Sequence, residues 1–342
     1  MRFLITGGAG FIGKSLIFRL LSSPENIVFN IDKLNYSSSI EPINLFCSKR
    51  NHKKHIFLNI DLYNRNEVYK AIENCCPDII FHLAAESHVD RSIENPREFI
   101  ESNVIGTFNL LEASLSYYNN LSDDRKNKFK FIHISTDEVF GSLSDNGKFS
   151  ELSCYDPRSP YSASKASSDH FVKAWFHTYN LPIIISNCSN NYGPWQFPEK
   201  FIPKVIFNAL NDKEIPIYGE GTNVRDWLYV DDHIEALILL SKVGEIGGSY
   251  CIGGNSERSN NDVVSHICKI LDKKFPNKAP HGRLIRFVKD RKGHDKRYSI
   301  NFEKIKNKLG WEPYYDFENG ILKTVDWYIV NISWAEKILN ND

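Results

Sequence analysis

The chain has 342 residues, room for one large domain or two moderate ones with ample core. Basic and acidic residues both number 42, so the net charge is zero and no bulk field recruits nucleic acid or an anionic membrane. No apolar run approaches the ~20 residues of a membrane span, the N-terminus lacks a secretory pattern, and seven cysteines without CxxC spacing argue against zinc or a disulfide framework. The expectation is a cytoplasmic protein with no metal.

Arg2 to Thr6 reads as a short strand. It runs into Gly7-Gly8-Ala9-Gly10-Phe11-Ile12-Gly13 and then a helix with apolar Phe11, Ile12, Leu16, Ile17, Leu20 and Leu21, ended by Ser22-Ser23-Pro24. Ile27 to Ile31 is a second strand that stops at Asp32. A GxGxxG match between strand and helix, with an acid nineteen residues beyond its last glycine, is a dinucleotide fingerprint. The glycines let the backbone approach a pyrophosphate, and the helix start offers N–H groups and the positive dipole end. Asp32 suits ribose hydroxyls and repels a 2′-phosphate, so NAD is expected over NADP.

Strand and helix then alternate: His55 to Ile60 strand, Asn64 to Cys75 helix, Asp78 to Leu83 strand, Pro96 to Tyr118 long helix, Lys128 to Ile134 strand, Asp156 to Tyr179 mostly helix, Leu181 to Ser186 strand. The basic run Lys49 to Lys54 reads as a solvated loop. This alternation predicts an α/β fold, a Rossmann-type doubly wound parallel sheet. Beyond about Asn190, prolines at 194, 198, 203 and 216 break the rhythm and predict a smaller C-terminal α/β domain. The expected division is 1–189 for the dinucleotide and 190–342 for the substrate, with a soft boundary and segments exchanged.

Two constellations carry chemistry. Ser135-Thr136-Asp137-Glu138 follows an apolar strand, where ligands bind in open α/β sheets. Two adjacent acids there can divide proton work. Neighbours in a regular strand point to opposite faces, so both acids address one substrate only if the chain leaves strand geometry at Thr136. Tyr161 and Lys165 sit four apart on one helix face. A phenol with pKa ~10 is a poor base at neutral pH, and a nearby ammonium favours its phenolate.

These residues resemble the extended short-chain dehydrogenase/reductases and, within them, the dTDP-glucose 4,6-dehydratase family. The resemblance spans nearly the whole chain. It rests on TGGAGFIG at Thr6–Gly13, HLAAESHVDRSI at His82–Ile93, STDEVFG at Ser135–Gly141 and YSASK at Tyr161–Lys165. It continues through NCSNNYGPWQFPEKFIP at Asn187–Pro203, PIYGEGTNVRDWLYVDDH at Pro216–His233 and DRKGHDKRY at Asp290–Tyr298. It implies an NAD-dependent hydro-lyase that oxidises C4 of dTDP-glucose, eliminates water across C5 and C6, and returns hydride to C6 in deoxysugar biosynthesis.

The resemblance also assigns roles. Tyr161 is the C4 base, Lys165 tunes it and holds the nicotinamide ribose, and Thr136 binds the C4 hydroxyl. Glu138 takes the C5 proton and Asp137 protonates the departing C6 oxygen. NAD is expected against Gly7, Gly10, Phe11, Ile12 and Gly13, against Asp32, Lys33, Leu34 and Asn35, and between Asp61 and Leu62. Leu83, Ala84, Ala85, Glu86, Ser87, Ser102 and Asn191 complete its shell. For the nucleotide sugar, Ser87 and Asn190 approach the sugar and phosphates. Lys200, Phe201, Pro216, Ile217, Tyr218, Arg225, Asn260, Asp290, Arg291, His294 and Tyr298 are expected to hold the diphosphate and base. Arg225 and Arg291 suit a diphosphate because guanidinium is bidentate.

Phe140, Lys292 and Ser256 depart from the family pattern, the last two on the diphosphate side. A UDP-sugar epimerase or a decarboxylase of the same fold is the nearest rival, and neither needs an acid–base pair at C5 and C6. A non-catalytic NAD-binding scaffold is the rival from another class. The long helices Pro96–Tyr118 and Pro157–Tyr179 suggest a homodimer through four helices.

Overall fold

The structure is a computed structural model that describes residues 1–291 and 293–339; Lys292 lies outside the described residues. In chain order β1 (Arg2–Thr6), α1 (Phe11–Leu21), β2 (Ile27–Asp32), α2 (Glu41–Lys49), β3 (His55–Asn59), α3 (Arg65–Cys75) and β4 (Ile79–His82) alternate. After α4 (Val89–Glu94) come α5 (Pro96–Phe99), a π-helical stretch Ile100–Ile105, α6 (Gly106–Asn119), α7 (Asp123–Lys126) and β5 (Lys130–Thr136). A 3-10 turn Asp137–Phe140 follows, then α8 (Pro160–Tyr179), β6 (Ile183–Cys188), β7 (Asn190–Tyr192), α9 (Phe201–Leu210), β8 (Ile215–Tyr218) and β9 (Val224–Tyr229). The chain continues through α10 (Val230–Val243), β10 (Ser249–Ile252), β11 (Glu257–Ser259), α11 (Asn260–Lys274), β12 (Ile285–Val288), α12 (Glu303–Leu309), α13 (Phe317–Val330) and α14 (Ile332–Leu339).

Seven parallel strands form one sheet in the order β10-β6-β5-β4-β1-β2-β3. The order reverses between β1 and β4, which opens a crevice at the carboxyl ends of those strands. Side chains alternate across the sheet as the strand period demands. Phe3, Ile5, Ile132, Ile134 and Ile184 pack on one face with Leu16 and Leu237. Leu4, Ile31, Phe131 and Ile183 pack on the other with Ile72, Leu110 and Val172. A separate core joins α9, α11 and α13 to β8 and β9. Two small sheets, β11-β9-β7 and β12-β8, flank it.

Three expectations shift. The strand–helix rhythm does not stop at Asn190, because β10 adds a parallel strand beside β6. The strand before the two acids runs on past Ile134 to Thr136, since Ser135 and Thr136 pair with Asn187 and Cys188. The long helix from Pro96 contains a π-helical stretch. There the buried Asn103 accepts from the Glu86 N–H (2.8 Å) and donates to the Glu86 carbonyl (3.0 Å) and to Ser164 Oγ (2.8 Å). Widened turns of this kind gather at functional sites.

Candidate active site

The crevice gathers loops from β1, β2, β3, β4, β5 and β6 around one continuous cleft. On its floor the glycines are required by contact. A Cβ on Gly13 would sit 2.3 Å from the Gly7 carbonyl oxygen, and one on Gly7 (φ +72°) would sit 2.7 Å from Ala84 Cα. No side chain caps α1, and Gly10 to Gly13 line the cleft, so its first-turn N–H groups are available to an anion. Asp32 closes β2 with its carboxylate fixed by the N–H groups of Ala9 (3.0 Å) and Leu34 (2.8 Å). Glu86, after β4, is gripped by Lys33 (3.1 Å) and Asn35 (3.0 Å) of the loop after β2. This cradle, with an uncapped helix start and a fixed acid at the end of β2, fits a dinucleotide.

Asp61, Leu62, Leu83, Ala84, Ala85, Glu86, Ser87 and Ser102 line the same cleft, as do Thr136, Asp137, Glu138, Tyr161, Lys165, Asn190, Asn191 and Lys200. Leu34 does not. It adopts a left-handed turn (φ 56°) and is exposed, so it contributes its N–H to Asp32 and not its side chain.

Strand geometry ends directly after Thr136. Thr136 is still extended (φ −136°, ψ 159°) and caps the 3-10 turn that carries both acids. Its Oγ1 accepts from the Glu138 N–H (3.2 Å) and donates to Asp137 Oδ1 (3.2 Å). Successive residues of a 3-10 turn rotate by about 120°, which lets adjacent carboxyls share one cleft. Asp137 is buried and its Oδ2 has no partner among the described residues. Burial, reinforced by Glu138 and Asp226, drives its pKa well above the ordinary value. Burial raises Glu138 as well, but Arg291 and Arg225 pull it back. The two carboxyls therefore differ in degree: Asp137 has only the Thr136 hydroxyl and Arg225 to offset burial, whereas Glu138 faces Arg291, Arg225 and Lys200.

α8 starts in a capping box, Ser159 with Ser162, which fixes the register of Tyr161 and Lys165. Lys165 Nζ donates to the Ile134 carbonyl (2.8 Å) and so ties α8 to the end of β5. Burial, with the charges of Glu138 and Asp137, raises the Tyr161 phenol well above its usual value.

The other half of the expected site is more scattered. Lys200 reaches the cleft and donates to the Ser87 carbonyl (3.0 Å). Asn190 presents a buried, unpartnered Oδ1 among the described residues, and Arg291 likewise a buried Nε. Arg225 is buried, its guanidinium donating to the carbonyls of Val224 (2.8 Å) and Asp295 (3.0 Å) and lying 4.4 Å from the Tyr298 ring centre. The Tyr298 hydroxyl bonds Asp295. Asp290 accepts from the Arg291 N–H (2.7 Å) and pairs with His294 (2.6 Å), which meets Tyr218 edge-on. Phe201 stacks on Trp227, Ile217 is buried in the second core, and Pro216 lies in β8 between Ile215 and Ile217, paired with Arg286 of β12. Asn260 opens α11, its N–H on the Asn223 carbonyl (3.1 Å). Asn191 is spent internally on Ser189 and His233.

Ser37 and Ser38 line the cleft without a motif signal, whereas Cys188, Gln196 and Phe197 fall within the Asn187–Pro203 motif without an expected role. Ser135, although noted in the sequence, proves to line the cleft too.

A family model described as GDP-mannose 4,6 dehydratase matches residues 4–324. The chain is 53% identical over 338 residues to a "Probable dTDP-glucose 4,6-dehydratase" of Sinorhizobium fredii, covering 99% of this chain and 95% of the relative. The dTDP-glucose 4,6-dehydratase of Streptomyces venezuelae, solved with NAD and TYD bound, superposes with a TM-score of 0.89 at 37% identity over 99% and 100% of the two chains. That of Bacillus anthracis, solved in complex with NAD, gives a TM-score of 0.86 at 40% identity over 99% of each chain. The chain belongs to the dTDP-glucose 4,6-dehydratase family of the extended short-chain dehydrogenase/reductases.

Proposed function

We propose that the chain is a hydro-lyase that converts dTDP-glucose to dTDP-4-keto-6-deoxyglucose and water. The observation that carries this reading is the 3-10 turn after Thr136, which places Asp137 and Glu138 in one cleft with Tyr161 and Lys165. Gly10, Phe11, Ile12 and Gly13 would hold the pyrophosphate of NAD, Asp32 its adenosine ribose, and Lys165 its nicotinamide ribose. Bound there, NAD supplies the hydride acceptor for C4 and the hydride donor for C6. Residues 1–189 are its proposed platform, and 190–342 contribute the nucleotide-sugar side.

Thr136 orients the C4 hydroxyl and Tyr161 takes its proton, the positive charges of Lys165 and of a bound nicotinamide opposing the burial that raises its phenol. The C4 ketone acidifies the C5 proton, which Glu138 removes because Arg225 and Arg291 favour its charged form. Asp137, kept protonated by burial beside Glu138, gives its proton to the C6 oxygen, which leaves as water. An epimerase has no use for this pair. Arg291, Asn190 and Lys200, with Arg225 behind them, are proposed to meet the diphosphate and sugar.

Alkaline absorbance of the keto product after incubation with NAD and dTDP-glucose tests the reading. Turnover of another nucleotide sugar with none of dTDP-glucose would overturn it. We also propose a homodimer through α5–α6 and α8, where Ile100, Ile105, Phe171 and Tyr179 are exposed. Sedimentation of the full chain as a monomer would refute that. Among the described residues no helix is long and apolar enough to cross a membrane, and the seven unpaired cysteines suit the reducing cytoplasm we infer.

A further inference from the structure

Asp169 lies on α8 four residues beyond Lys165 and eight beyond Tyr161, on the same helix face. It is wholly buried and does not line the cleft. Its carboxylate takes four hydrogen bonds: from His133 Nε2 (3.0 Å) on Oδ1, and from Ser135 Oγ (2.8 Å), the Tyr155 hydroxyl (2.8 Å) and Asn187 Nδ2 (3.3 Å) on Oδ2. A carboxylate only accepts, so His133 must carry its hydrogen on Nε2. The donors come from β5, β6 and the segment before α8.

The connections continue to the reacting groups. The same Asn187 amide donates to the Thr136 carbonyl (3.1 Å), and Lys165 donates to the Ile134 carbonyl (2.8 Å). Residues 133 to 136 are thus tied in turn, two side chains to Asp169, one carbonyl to Lys165 and one to Asn187. A buried charge surrounded by donors from three segments holds them at one distance, and removing it takes this acceptor from His133, Ser135 and Tyr155 and leaves Asn187 only the Thr136 carbonyl.

We propose that Asp169 is a positioning residue, which locks the end of β5 against α8 and so sets Thr136 and the Asp137–Glu138 turn at working distance from Tyr161 and Lys165. This rests on the dehydratase reading above. It is tested in the full chain with Asp169→Asn, whose amide cannot accept from four donors. The expected result is a kcat about 10²-fold lower, the cost of sub-ångström to ångström misplacement, with KM for dTDP-glucose within about twofold. The rise of reduced-nicotinamide absorbance in a single turnover should slow in step, because C4 oxidation is the stage that needs Thr136 and Tyr161 aligned. Asp169→Glu, which keeps every acceptor, should recover most of kcat.

Wild-type kcat in Asp169→Asn overturns the proposal, as does a loss confined to thermal stability or to KM. Should Asp169→Asn fail to fold, Tyr155→Phe removes one donor and leaves the carboxylate. A severalfold fall in kcat at constant KM then supports the lock, and an unchanged kcat overturns it. If wild-type protein does not consume dTDP-glucose, the dehydratase reading fails instead.

Discussion

The two sides of the cleft are built differently. On the dinucleotide side, the expected residues fall mostly in short runs at strand ends, and almost all of them reach the cleft. One sheet does the gathering, because parallel strands deliver every loop to the same edge. On the nucleotide-sugar side, residues from β8, β9, α11 and the segment after β12 must be brought together by short elements. Many of their polar groups are already engaged: Arg225 with backbone carbonyls, Tyr298 with Asp295, Asp290 with His294. The first side offers glycine backbone and helix-start N–H groups to its proposed ligand, the second mainly braced side chains. Asp137 and Glu138 sit at the seam, both raised by burial, with Arg225 acting on both and Arg291 drawing Glu138 back further.

Substitutions at the seam should have the largest effects. Glu138→Gln should lower turnover about 10³-fold while reduced nicotinamide still accumulates on mixing with dTDP-glucose, since C4 oxidation does not need this carboxylate. Normal turnover would remove Glu138 from the reaction. Asp137→Asn should cost about 10²-fold. In the wild type the useful form is protonated, so activity should decline as pH rises through the elevated pKa of Asp137, and a kcat–pH profile of the Asn variant should lose that decline.

Two milder changes separate the sides. Gly13→Ala pushes a Cβ to 2.3 Å from the Gly7 carbonyl and should destabilise by about 1–3 kcal/mol. Calorimetry should show a lower melting temperature and weaker NAD binding, with dTDP binding preserved. Arg291→Ala should weaken dTDP about tenfold, the low end for a lost charge-assisted bond, with NAD unchanged in a parallel titration. If either variant affected both ligands equally, the two sides would not be independent.

The sheet and its glycine loop were legible because short continuous apolar runs, buried on both faces, and a strand–glycine–helix junction have few other meanings. Strand ends were less so: Ser135 and Thr136 look polar, yet pair with Asn187 and Cys188 inside the sheet. Hydrogen-bonding neighbours, not hydropathy, decide such residues. The π-helical widening around Asn103 left no mark in the apolar pattern; it coincides with a buried amide bonded to Glu86. Asp169 could have been read: it continues the four-residue spacing of Tyr161 and Lys165. β10 was hidden by its position after the prolines and by its length of four residues.

That late strand has a bearing on how the molecule is made. β6 is buried along all six residues and pairs with β10 on its outer side. A nascent chain that has emerged only to Ser189 therefore carries an apolar strand with an open edge, the kind of surface that recruits other chains. The β6 edge is covered only after α10 and residues 249–252 have followed. A fragment cut at 189 should aggregate, whereas one ending beyond Ile252 has the strand it needs to close that edge.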